Sequence, residues 1–271
     1  MWKSGTESLQ LTETLARALI GAALSAVAAL AAHRIRMLST SGTIAATVVG
    51  TISIAAGWSW GALLLSMFIS ASLLSKLGER RKAERVGRIV EKGAERDWGQ
   101  VLANGGVFAG AALGSLMSPS HVWFAIGAGA LAASAADTWA TEIGTLVAAR
   151  PISIISGRRV EAGTSGGISL AGTAAAVVGA LFVGAVTILA NWPVPFVAVA
   201  IGGVAGAMAD SLLGATVQER RWCELCKTFT ERPIHNCGTA TSHAGGLVGF
   251  DNDAVNAVCS AVGALVALLL S

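Results

Sequence analysis

Charge is scarce in this sequence. Asp, Glu, Lys and Arg make up 13% of its 271 residues, against about 25% in a typical soluble domain. That deficit argues against the one or two soluble domains that the length alone would permit. Cysteine is scarce as well. Of the four, three are bunched between residues 223 and 237, which rules out a secreted disulfide framework. The first twelve residues lack a basic segment leading into a short apolar run and a cleavage site, so no removable signal peptide is expected. There is no Gly-X-Y period behind the 33 glycines. They exclude collagen and suit close helix contacts in lipid.

What fills the chain instead is apolar. Hydrophobic residues account for 54% of it and the mean hydropathy is +0.65, too apolar for disorder. Runs of about 20 apolar residues recur, the mark of membrane-spanning helices. Eight spans are expected at 13–32, 42–57, 59–75, 99–117, 121–149, 167–190, 194–217 and 253–270. Seven is the alternative count, because 42–75 also reads as one tight hairpin turning at Gly57 to Trp60. The expected fold is an all-α polytopic membrane protein. It forms a single domain over 1–271, with a charged segment at 76–98 and a Cys/His loop at 218–252.

The loops set the orientation. Segments 33–38, 76–98, 150–166 and 218–252 hold 17 of the 19 basic residues, while the connections at 57–60, 118–120 and 191–195 are short and uncharged. Excess positive charge in alternate loops places those loops in the cytoplasm, and it reads as topology rather than nucleic-acid binding. Any soluble chemistry is therefore expected on the cytoplasmic side, with both termini outside. In 76–98, Glu79, Glu84, Glu91 and Glu95 interleave with the basic residues at helical distances. This suggests a solvated helix continuing from the third span.

Several polar groups fall where a membrane helix should be apolar. Asp137 lies deep in the fifth span and Glu142 near its cytoplasmic end. Thr141 shares a face with Asp137, and Thr138 shares one with Glu142. The seventh span carries Ala209-Asp210-Ser211, an echo of Ala136-Asp137-Thr138. Both spans run the same way, so both aspartates are expected at similar depth, as in a parallel repeat. Intramembrane carboxylates face a cavity, a partner or an ion, and a facing pair suits Mg²⁺. At the mouth of the last span stand Asn252, Asp253 and Asn256. Capping by Asp251 or Asn252 accounts for one polar residue there but not for Asn256. The stretch Gly163-Thr164-Ser165-Gly166-Gly167 follows Arg158 and Arg159 and leads into the sixth span. A glycine-rich loop at a helix N-terminus cradles phosphate, although a plain capped loop has the same look and no Walker sequence is present. Asn104, beside Gly105 and Gly106, adds a polar position in the fourth span.

Cys223-x-x-Cys226 and His235-x-Cys237 share the loop 218–252. Three thiolates and an imidazole complete a tetrahedral zinc set with no open position, which makes the zinc structural rather than catalytic. A redox dithiol and four unrelated residues are the other readings. Cys259, inside the last span, reads as a packed small side chain.

The stretches around Asn104-Gly105-Gly106, Ala136 to Gly144, Gly163 to Gly167, Ala209 to Gln218 and Asn252 to Asn256 resemble an integral-membrane family. That family includes phytyl-phosphate kinase and the animal transmembrane protein nineteen, and is distantly similar to dolichol kinase and CDP-diacylglycerol synthase. The likeness covers roughly residues 100–260, the first three spans matching only in being hydrophobic. It implies a CTP-using, Mg²⁺-dependent kinase that converts an isoprenoid monophosphate such as phytyl or geranylgeranyl phosphate to the diphosphate. It implies metal and nucleotide roles for Asp137, Glu142, Asp210, Asn252, Asp253 and Asn256. A lipid-phosphate cytidylyltransferase is the nearest alternative. A cation-coupled transporter is a more distant one.

Overall fold

The structure is a computed structural model that describes residues 3–79, 82, 95–147 and 150–271. Eight helices stand among the described residues: α1 (Lys3–Arg34), α2 (Thr40–Ala56), α3 (Trp58–Lys76), α4 (Trp98–Met117), α5 (Val122–Leu146), α6 (Leu170–Leu189), α7 (Phe196–Thr216) and α8 (Asn252–Leu269). They coincide with the eight expected apolar segments. Six of them (α1, α3, α4, α6, α7 and α8) are long and apolar enough to cross a membrane. Of the other two, α2 has 17 residues, and α5 carries both Asp137 and Glu142. The expectation of an all-α chain needs one amendment. Five short strands lie in two loops: β1 (Ile152–Ser153) with β2 (Gly167–Ile168), and a sheet of β3 (Arg220–Cys223), β4 (Thr228–Thr230) and β5 (Ser242–Gly245) in the order β4-β3-β5.

Helix α5 is the axis of the bundle. It packs against α3, α4, α6, α7 and α8, and every residue from Gly127 to Ala136 is buried. The sequence explains this. That stretch is almost entirely Gly, Ala and Ser, and small side chains let helix backbones approach closely, which is where packing in lipid gains its energy. A Cβ on Gly129 would collide with the carbonyl oxygen of Gly263 in α8, and one on Gly206 in α7 would collide with Ala133 Cβ. Larger residues at either place would wedge α5, α7 and α8 apart. The long apolar side chains stand outward instead: Leu19, Leu73, Leu170 and Val197 are all exposed. At the end away from the long loops, Trp60, Phe108, Phe124 and Trp192 pack ring to ring. Trp60 lies 4.6 Å from Trp192 and 5.2 Å from Phe108 between centroids.

The opposite end is sewn together by polar contacts. Ser39 caps α2 and Asp97 caps α4 with a complete capping box. The two starts are tied where Ser39 N donates to Arg96 O and Arg96 N donates to Met37 O, each at 3.0 Å.

Most of the expected solvated helix in 76–98 lies outside the described residues, but Lys82 is described and departs from that reading. It is buried, donates to the carbonyls of Leu74 and Ser75 at 2.8 and 2.7 Å, and pairs with Glu142. Ser75 donates to the other carboxyl oxygen of Glu142. Removing one partner of a buried pair strands the other charge, at a cost of about 3–5 kcal/mol. Glu142→Ala is therefore expected to lower the unfolding temperature of the purified protein clearly, and Lys82→Met in the same chain to recover most of the loss. A single variant as stable as the parent would show that this pair does not hold the fold.

Candidate functional site

Asp137 and Asp210 meet. Their carboxyl groups face each other at close range across α5 and α7. The packing makes this inevitable. Gly206 touches Ala133, and both helices run in the same direction. One turn on from that contact is Asp210 on α7 and Asp137 on α5, at i+4 in each case. The thiol of Cys259 in α8 is buried and near enough to feel both charges. Asp210 Oδ2 is buried without a hydrogen-bond partner. Two facing carboxylates with an orphaned oxygen have the donor chemistry of a divalent-cation site.

Behind the pair is a polar seam. Ser134, three positions before Asp137 along α5, places its hydroxyl 2.8 Å from that of Ser260 in α8 and 2.8 Å from the carbonyl oxygen of Asn104 in α4. The amide of Asn104 donates to Gln100 O at 3.0 Å. Ser260 Oγ lies 3.0 Å from the carbonyl oxygen of Asn256. Asn104 and Asn256 thus belong to the same seam, one on each of two helices beside α5.

The glycine loop comes to the same end of α7. Gly163 and Gly166 have φ of +88° and +74°, the left-handed region that glycine enters at no steric cost. A Cβ on Gly166 would stand 2.7 Å from the carbonyl oxygen of Ser211, the residue after Asp210. Thr164 N donates to Glu161 O and Gly167 N donates to Thr164 O. One expectation is corrected here. The loop does not open directly onto a helix, because β2 intervenes and Ser169 caps α6, accepting from Gly172 N at 3.1 Å.

The remaining expected residues are spread wider. Glu142 is engaged by Lys82 and Ser75. Thr141 is exposed, as are Arg158, Arg159 and Asn252. Asp253 faces α4, where a Cβ on Gly99 would collide with its Oδ2. It lines a cleft of about 420 Å³ with Asp97, Trp98, Leu102 and Asp251. Asp251 is the α8 cap, accepting from Ala254 N at 3.0 Å.

Sequence reasoning missed Glu231 and Gln218. Glu231 Oε1 accepts from Ser165 Oγ at 2.6 Å and from Gln218 Nε2 at 2.8 Å. No spacing rule marks an acid between two ligand pairs. It also missed the anchoring role of Lys82, which reads as one more charge in a charged run.

Cys223, Cys226, His235 and Cys237 bring their ligand atoms within 4.8 Å of one another. Each pair sits at a tight turn. Lys227, with φ +51°, closes the turn between β3 and β4, and Gly238, with φ +82°, closes the turn after Cys237. Cys223 and Cys237 Sγ are 3.6 Å apart, against about 3.8 Å for two thiolates on one tetrahedral zinc. Hydrogen bonding to the Cys237 thiol pushes Cys226 up to about 11, whereas hydrogen bonds with Thr239 and His235 bring Cys237 down to about 6. His235 Nε2 is buried without a partner. The four residues fit a metal ion such as zinc.

Residues 23–264 match the family model described as integral membrane protein DUF92. The chain belongs to this family. The match reaches well into the first three helices, beyond the stretch where motifs alone carried the resemblance. Protein PGR of Arabidopsis thaliana is 31% identical over 89% of this chain and 92% of its own length. A membrane protein of Methanocaldococcus jannaschii is 33% identical over 77% of this chain and 86% of its own, and one of Synechocystis is 28% identical over 76% and 81%. No solved structure matches.

Proposed function

We propose that this protein is a CTP- and Mg²⁺-dependent kinase of an isoprenoid monophosphate, working at the cytoplasmic face of the membrane. The observation that carries the reading is the facing pair Asp137 and Asp210, on two parallel helices, with the glycine loop packed against Ser211, the residue after Asp210. A prenyl phosphate already offers an anionic oxygen, so no general base is needed. In the reaction that oxygen bonds to the γ-phosphorus of CTP, the bond from the γ-phosphorus to the bridging oxygen breaks, and CDP leaves. Bound Mg²⁺ supplies neutralisation of the phosphate charge.

This chain's residues do the holding. Asp137 and Asp210 bind the cation. Ser165, Thr164 and the glycines of 163–167 line the phosphate side next to Ser211. Arg158 and Arg159, exposed in the neighbouring hairpin, draw in the nucleotide. Thr141, Asn104, Asn252, Asp253 and Asn256 serve nucleotide recognition along α5, α4 and α8, and Glu142 holds α5 in place through Lys82. The greasy tail stays in lipid between helices. Zinc at Cys223, Cys226, His235 and Cys237 is structural.

Two measurements test this reading. Purified protein with prenyl phosphates, CTP or ATP, and Mg²⁺ is expected to give prenyl diphosphate and CDP. Pyrophosphate as the product would make it a cytidylyltransferase, and no nucleotide turnover would end the kinase reading. In intact cells, single cysteines placed in loops 150–166 and 218–252 of a chain otherwise free of reactive thiols are expected to resist an impermeant reagent. Labelling from outside would reverse the topology.

A further inference from the structure

The Cys/His module reaches back into the bundle. Thr230, the last residue of β4, is buried, and its strand pairs with β3. Beyond it, Arg232 O accepts from Thr241 Oγ1 at 2.6 Å, and His235 follows as a metal-ligand candidate. Glu231 is held between these fixed points. Its Oε1 takes two hydrogen bonds, from Ser165 of the glycine loop and from Gln218, which is buried just past α7. Ser165 in turn packs on α7 one turn from Asp210, where a Cβ on Gly214 would stand 3.3 Å from Ser165 Cβ, which brings the Glu231 charge within reach of Asp210. A clip remote from the site would have no reason to send an acid there.

We infer that Glu231 is a third acid of the Asp137–Asp210 site, delivered by the Cys/His module, which adds its charge to the cation held there and orients Ser165. The inference rests on reading that pair as a divalent-cation site, and not on the identity of the lipid. Glutamine keeps an acceptor oxygen for Ser165 but carries no charge, so Glu231→Gln separates the electrostatic role from a merely structural one.

The test uses the full chain in detergent with Mn²⁺ as the probe, followed by electron paramagnetic resonance. Glu231→Gln is expected to weaken Mn²⁺ binding by about 10-fold or more while keeping its zinc and its unfolding temperature. Glu231→Asp, which restores the charge, is expected to recover much of the affinity. Wild-type affinity in Glu231→Gln, or no Mn²⁺ binding by the wild type, overturns the inference. Should Glu231→Gln lose zinc, Ser165→Ala decides: it lies outside the module, removes a donor to Glu231 Oε1, and is expected to weaken Mn²⁺ binding. Unchanged affinity there overturns the inference. A protein that binds Mn²⁺ this way yet makes no prenyl diphosphate sinks the kinase reading alone. A working kinase whose Glu231→Gln variant binds Mn²⁺ normally sinks only this inference.

Discussion

Asp137→Asn and Asp210→Asn are each expected to lower Mg²⁺-dependent turnover by at least about 100-fold, a loss of more than about 2.7 kcal/mol of transition-state stabilisation. The two carboxyls are pressed together by the Gly206–Ala133 contact one turn away. Their backbones cannot move apart without unpacking α5 from α7. Like charges held so closely repel, and a divalent cation between them removes the repulsion. Asparagine keeps the shape and removes one charge, so folding should survive. Stability in metal-free buffer should even rise, because the repulsion is gone. That opposition of stability and activity distinguishes a site from a structural pair. Glu13→Gln, on the exposed side of α1, is the control and is expected to turn over normally. If both aspartate variants keep normal rates and normal Mg²⁺ dependence, the site lies elsewhere.

The helices were legible in the sequence because lipid demands long apolar runs, and the loops because charge avoids the bilayer. The pairing of Asp137 with Asp210 was legible too, from matched depth and the repeated Ala-Asp-Ser/Thr pattern. Glu142 was not. Its position near Asp137 suggested a shared site, but its partner Lys82 comes from a charged run some 60 residues away whose pattern looked solvated. Only tertiary packing buries that lysine. Glu231 failed for the same reason in reverse: an acid in a hydrophilic loop gives no sign that the loop folds back on α7. The glycine loop was found by composition, but its seat against Ser211, rather than at a helix start, depends on β2 and the Ser169 cap.

Losing one zinc ligand is expected to undo the module and the site together. The loop between α7 and α8 has little core of its own. Trp222 and Phe229 pack edge to face at 4.9 Å, and a unit of roughly this size, below about 40 residues, needs a metal or disulfides to fold. Structural zinc contributes on the order of 10 kcal/mol in small zinc-binding peptides, far more than those contacts offer. Cys226→Ser is therefore expected to leave the protein without zinc and to open residues 219–250 to fast hydrogen exchange, while the helices keep their protection. Turnover should fall with zinc occupancy, because Glu231 and its hold on Ser165 go with the module. Cys259→Ala, the cysteine outside the cluster, should keep full zinc. A zinc-free preparation with an ordered loop and full activity would show that these four residues gather for some other reason.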